Sequence, residues 1–128
     1  MFSIDEFLAS DYRVDYVEEK IGNETFLIRR LDGYELLSYT EIQKSSDRVI
    51  YALGHCLLDG KTKKPIGEAY AKMFITRCDA LANELTVRIF KLTTDSVKAE
   101  EEAWGIAEKN LPETNTSGSI EATAAVTD

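Results

Sequence analysis

The sequence predicts an α+β fold, mainly α-helical, in which an N-terminal β-hairpin packs on a small bundle of about four to five helices. Three observations predict it. Residues 12–31 carry an alternating stretch and a β-favouring run, with turn residues between them. Residues 34–109 carry apolar positions at helical spacing, separated by caps and turns. The length, 128 residues, fits one domain of ordinary size. The predicted organisation is a single globular domain over 1–110 and a disordered acidic tail over 111–128.

Ser3 followed by Glu6 is a capping-box pattern and starts a short helix that runs to about Ala9. Tyr12, Val14 and Tyr16 then alternate with polar residues, the period of a half-buried strand. Ile21-Gly22-Asn23-Glu24 interrupts with turn residues, and the run at 26–31 favours strand again. Together they predict a β-hairpin over 12–31 with a moderately long loop, ended by Asp32-Gly33.

From Tyr34 the pattern is helical. Leu36, Leu37, Tyr39 and Ile42 give one apolar face over 34–44, and Ser45-Ser46-Asp47 supplies a stop and a new N-cap. The helix over 47–58 places Ile50, Leu53 and Leu57 on one side, with Ala52 and Cys56 beside them. Residues 59–65 form a polar turn with Gly and Pro chemistry. Phe74, Cys78, Leu81, Leu85, Ile89 and Leu92 then recur at steps of three and four, which puts them on one stripe. That stripe predicts helix over 67–92, as one element or as two with a break near Thr76. Thr93-Thr94-Asp95 caps a last helix over 95–109, with Val97, Trp104 and Ala107 opposite Glu100, Glu101 and Glu102. Residues 111–128 contain no aromatic and no basic residue, so burial there cannot offset a backbone ordering cost of roughly 1–2 kcal/mol per residue.

Lys and Arg number 15 against 23 Asp and Glu, a net charge of -8. Residues 95–128 hold eight of the acids and only two of the bases, so a nearly neutral body carries an acidic end. This balance argues against nucleic acid as the partner, because affinity for phosphate backbones comes from cations that release counterions. The two cysteines have no CxxC spacing, no signal peptide is visible, and no apolar run reaches the roughly 20 residues of a membrane span. A soluble intracellular chain with no membrane partner is expected.

Candidate chemistry is sparse. His55-Cys56, with Asp59 nearby and Cys78 downstream, has the residue types of a metal or thiol site but neither paired ligands nor a second histidine. Gly60-Lys61-Thr62 echoes the end of a phosphate-binding loop, yet the glycine required five positions earlier is His55. The acids of 100–102 lie on a helical surface and not in a shielded pair. No enzyme activity, cofactor or metal is therefore expected. The leucine-rich stripe reads first as a core helix, but the same spacing suits packing against a partner helix. Neighbouring faces can divide the two roles. Leu81, Leu85, Ile89, Leu92 and Trp104 are the candidate partner-binding residues.

The order of these elements resembles the tail assembly chaperones of long-tailed bacteriophages, the group that contains the lambda G protein. The resemblance runs over about 1–110 and rests on several pieces in sequence. A hairpin ends in Phe26-Leu27-Ile28-Arg29-Arg30-Leu31 and is followed by Asp32-Gly33-Tyr34-Glu35. A helical segment leads to Leu57-Leu58-Asp59-Gly60, then comes the stripe Leu81, Leu85, Ile89, Leu92, and an acidic helix closes at Lys109-Asn110. It implies a protein of the host cell cytoplasm that binds the tape-measure protein, keeps it soluble, helps recruit the tail-tube protein and is absent from the mature virion. It also implies a homo-oligomer, association with a longer form made by ribosomal frameshifting, and divergence of the two products within 111–128. The alternative is a structural tail or head–tail component retained in the virion.

Overall fold

A computed structural model of the chain describes residues 1–9 and 15–106. The described residues form five helices and a three-stranded antiparallel sheet, the mainly helical α+β fold that the sequence predicts. Helix α1 (Ile4–Ala9) precedes strands β1 (Tyr16–Ile21) and β2 (Glu24–Arg29). Helices α2 (Gly33–Glu41) and α3 (Ser45–Cys56), strand β3 (Leu57–Leu58), and helices α4 (Glu68–Arg77) and α5 (Asp79–Trp104) follow. The chain divides into two units, Met1–Thr94 and Asp95–Asp128, with the boundary inside α5. The strand expectation at Tyr12 and Val14, the helix end at 107–109 and the tail at 111–128 lie outside the described residues.

At the first helix the Ser3 hydroxyl accepts a hydrogen bond from the Glu6 amide at 3.5 Å. The hairpin is tighter than expected. Tyr16 pairs with Arg29 and Ile21 with Glu24, so only Gly22-Asn23 form the turn. Gly22 has φ 63, and a positive angle at the first of two central residues is the pattern of a type II′ turn, which matches strand twist. Asp32 then opens α2 with a full capping box. Its carboxylate accepts from the Glu35 amide at 2.8 Å, and the Glu35 carboxylate accepts from the Asp32 amide at 3.0 Å.

Several helix boundaries differ from the sequence expectation. Helix α2 stops at Glu41, with Ile42 at its C-cap. Helix α3 starts at Ser45, so Ser45-Ser46-Asp47 form its first turn and Lys44 holds the cap position. It also ends at Cys56, because Leu57 and Leu58 leave the helix to pair with Ile28 and Leu27 as a third strand. Two consecutive leucines satisfy either a buried helix face or a buried strand, and the neighbouring ladder decides between them. Of the two forms expected over 67–92, the structure has two helices, broken at Cys78 and not at Thr76, with the Cys78 backbone at φ -142 and ψ 63. The separate helix expected over 95–109 is instead the continuation of α5. Thr93 and Thr94 do not cap a new start; their hydroxyls donate to the carbonyls of Ile89 and Phe90, four residues back.

Within the first unit, Ile28 and Leu31 from the hairpin meet Leu53, Cys56 and Leu57 from α3 and β3. Ala71 of α4 and Ala82, Leu85 and Ile89 of α5 complete this core. Small residues allow α3 and α4 to approach closely. A Cβ built at Gly54 would stand 3.0 Å from the Glu68 backbone nitrogen, and the Gly54 carbonyl accepts the Gly67 amide at 3.0 Å. Arg88 of α5 forms ion pairs with Glu19 of β1 at 2.7 Å and with Glu84 at 2.9 Å.

Candidate functional site

Helix α5 buries Ala82, Leu85, Ile89 and Thr93 along one face. The structure brings four of the candidate residues onto that inward face. Leu85 and Ile89 are fully buried in the core, and Leu81 and Leu92 pack half-buried against it. Leu85 and Ile89 therefore present no surface to a partner in the folded chain. Trp104, the fifth candidate, belongs to the second unit and is 64% exposed. Within the first unit, the large apolar residues of α5 that reach solvent are Val87, 61% exposed, and Phe90, 43% exposed. The Phe90 ring lies 5.5 Å from that of Tyr39. Both residues sit off the main stripe, and their signal in the sequence is the excess of apolar residues over what one buried face uses.

A second surface was not legible in the sequence. A groove of about 880 Å³ lies against β2, β3 and α4, lined by Phe26, Leu58, Ile66, Tyr70, Met73 and Phe74. Its residues come from three stretches of the chain, 24–27, 57–66 and 70–78, and the third strand and the break after α4 place them together. Arg77 and the exposed Cys78 also line it. The turn at 59–65 forms part of its wall. Asp59 Oδ2 accepts hydrogen bonds from the Lys61 and Thr62 amides at 3.0 and 2.9 Å, and the Thr62 bond, then the Lys61 bond, hold the Asp59 carboxyl below its ordinary range. The amides that a phosphate-binding reading of Gly60-Lys61-Thr62 needs are thus occupied. The side chains of Lys61 and Lys64 point to solvent, and among the described residues neither they nor Arg77 form a salt bridge. The Lys63 ammonium sits 5.8 Å from the centre of the Tyr16 ring.

Three polar arrangements complete the inventory. His55 Nδ1 donates to the Tyr51 carbonyl at 2.9 Å, and its ring stacks on Tyr51 with centroids 4.1 Å apart. Cys56 is fully buried, and burial pushes its thiol up to about 12, so the nucleophilic thiolate is suppressed. Arg29 clamps the Glu35 carboxylate with two bonds of 2.8 and 2.7 Å. Burial alone would raise the Glu35 carboxyl, but the Arg29 hydrogen bond, the Asp32 amide and the Arg29 charge outweigh it and leave it below its ordinary value. Among the described residues, no three His, Cys, Asp or Glu side chains are grouped to hold a metal ion. No helix of the described residues is long and apolar enough to cross a membrane.

The second unit shows how α5 ends. Gly105 adopts φ 71, its amide donates to the Glu102 carbonyl at 3.2 Å, and the Ile106 amide donates to the Glu101 carbonyl at 2.8 Å. This is a Schellman stop, in which the residue after the glycine ordinarily packs on an apolar residue one turn back. Here that position is Glu101, and Ile106 is left 53% exposed.

Models of known protein families, curated proteins and solved structures were each compared with the chain, and none of them matches it.

Proposed function

We propose that the chain is a tail assembly chaperone of a long-tailed bacteriophage. It binds the tape-measure protein in the host cell cytoplasm, keeps it soluble and helps recruit tail-tube subunits. It acts in several copies, beside a frameshift-extended form, and leaves before the virion is complete. The order of elements supports this reading, from the hairpin through Asp32-Gly33-Tyr34-Glu35 to the leucine-rich helix.

One observation carries the reading to a surface. Helix α5 fills the core with Leu85 and Ile89 while Val87 and Phe90 on the same helix remain open to solvent. An exposed apolar helix face of that kind suits a helical client, which lays its own apolar stripe alongside. The test is co-expression with the tape-measure protein of the same gene cluster. Soluble, co-purifying tape-measure protein is expected, with at least half of that solubility lost in Val87→Lys. An insoluble client in the presence of folded wild-type chain sinks the proposal. Stoichiometric copies of the chain in purified virions replace it with the structural-component reading.

A further inference from the structure

We propose that the acidic end of helix α5 in one copy docks into the groove beside α4 of a second copy, with Trp104 and Ile106 as its apolar anchors. This deepens the multi-copy part of the function proposed above, and its physical basis is independent of the client.

The two surfaces match in apolar character and in charge. The groove, at about 880 Å³, is of the size that holds a compact group of apolar side chains, and its lining of Phe26, Leu58, Ile66, Tyr70, Met73 and Phe74 is mostly apolar. Arg77 belongs to this lining, and the turn that forms its wall carries the exposed Lys61 and Lys64 next to lining residues Gly60, Thr62 and Pro65; none of the three forms a salt bridge among the described residues. The acids nearby are Glu24 and Asp59, and Asp59 is already engaged by two backbone amides. Lys61, Lys63, Lys64 and Arg77 together make the wall turn and the end of α4 richer in cations than a chain of net charge -8 is elsewhere, which favours an acidic occupant.

The end of α5 has that acidic character. Glu100, Glu101 and Glu102 crowd its end, the last turn holds no basic residue, and the nearest one on the helix is Lys98. Acids at a helix C-terminus oppose the macrodipole, so cations from outside relieve a standing repulsion. The stop at Gly105 holds Trp104 and Ile106 close together, and Ile106 lacks the apolar neighbour that such a stop ordinarily supplies. A tryptophan that fills a pocket inside a ring of charged contacts is the usual anatomy of a binding hot spot. Because the two surfaces differ, the contact is head-to-tail, and each copy both gives and receives.

Sedimentation equilibrium of the full chain tests this. In low salt the average mass is expected to rise with concentration, and the apparent dissociation constant to weaken about tenfold at about 0.5 M salt. Two charge-reversed sets follow: Glu100→Lys with Glu101→Lys and Glu102→Lys, and Lys61→Glu with Lys64→Glu and Arg77→Glu. Each set alone is expected to weaken association about tenfold or more, and the two combined in one chain to restore it. Restoration excludes misfolding as the cause. Cys78 offers a positional check, because oxidised Ile106→Cys chains are expected to form a ladder longer than dimers through 106–78 disulfides between copies, lost in Cys78→Ser. A chain that remains monomeric at every concentration overturns the proposal. So does association indifferent to both sets, a combined variant as weak as either set, or a 106–78 bond formed within one chain. Tape-measure solubility measured with the same variants reads the chaperone proposal separately.

Discussion

The Thr93 hydroxyl accepts a hydrogen bond from the Leu31 amide at 3.0 Å, across 62 residues of sequence, while donating to the Ile89 carbonyl at 2.8 Å. Leu31 is the point where the hairpin gives way to the α2 cap, and both partners are buried. The bond therefore satisfies an amide that neither the sheet nor the helix serves.

Replacing Thr93 with Val keeps the shape and removes the acceptor. The buried Leu31 amide is then unpaired, which costs about 1–3 kcal/mol. A urea titration of Thr93→Val is expected to show a lower midpoint with unchanged slope, and Thr93→Ser, which keeps the hydroxyl, a smaller loss. Equal midpoints for Thr93→Val and wild type would remove the bond from the account of stability.

Gly54 is a point of close approach between α3 and α4. An alanine Cβ there meets the Glu68 nitrogen at 3.0 Å and its Cα at 3.1 Å, both backbone atoms that cannot swing aside. Gly54→Ala is expected to destabilise by about 1–3 kcal/mol through overpacking, despite the better helix propensity of alanine. Gly60→Ala, with open space around its Cβ, is the control and is expected to stay within about 0.5 kcal/mol of wild type. Thermal unfolding of the pair checks the difference.

The Arg29–Glu35 clamp makes stability depend on pH. The folded Glu35 carboxyl is held below its ordinary value, so its contribution is fully present above the unfolded value of about 4.3 and is lost as pH falls through the folded one. Near neutral pH, Glu35→Gln is expected to cost about 1.5–3 kcal/mol for the charged hydrogen bonds. That gap should narrow as wild type and variant are unfolded at successively lower pH below about 4.3. A gap independent of pH would mean that the carboxylate charge plays no part.

The two thiols differ in access. Cys56 is sealed in the core with its thiol pushed up to about 12, whereas Cys78 is exposed at the break between α4 and α5. Iodoacetamide at about pH 8 is expected to modify one thiol per native chain, Cys78, and both once urea has unfolded it. Peptide mapping reads the site, and prompt native labelling of Cys56 would contradict the packing described for α3.

Local patterns in the chain were enough for the hairpin, the helical remainder and the stripe through Leu81, Leu85, Ile89 and Leu92, because periods of two and of 3.6 are written in neighbouring residues. Gly22-Asn23 and Ser3 were legible for the same reason, since turns and caps act over two to four positions. Three features were settled only by contacts between distant segments. Leu57 and Leu58 became strand because β2 offered them a ladder, and Thr93 stayed inside a helix because Leu31 needed its oxygen. The groove formed because α4 breaks at Cys78 beside the same strand. Of the candidate partner residues, the apolar character of Leu85 and Ile89 was plain in the sequence, but burial is a property of what covers a side chain. Which residues are sticky and which are charged is written in the chain; that the stripe faces inward while Val87, Phe90 and Trp104 are exposed came from packing. The physical reason is that hydrophobicity has no direction until the chain has a core to point it at.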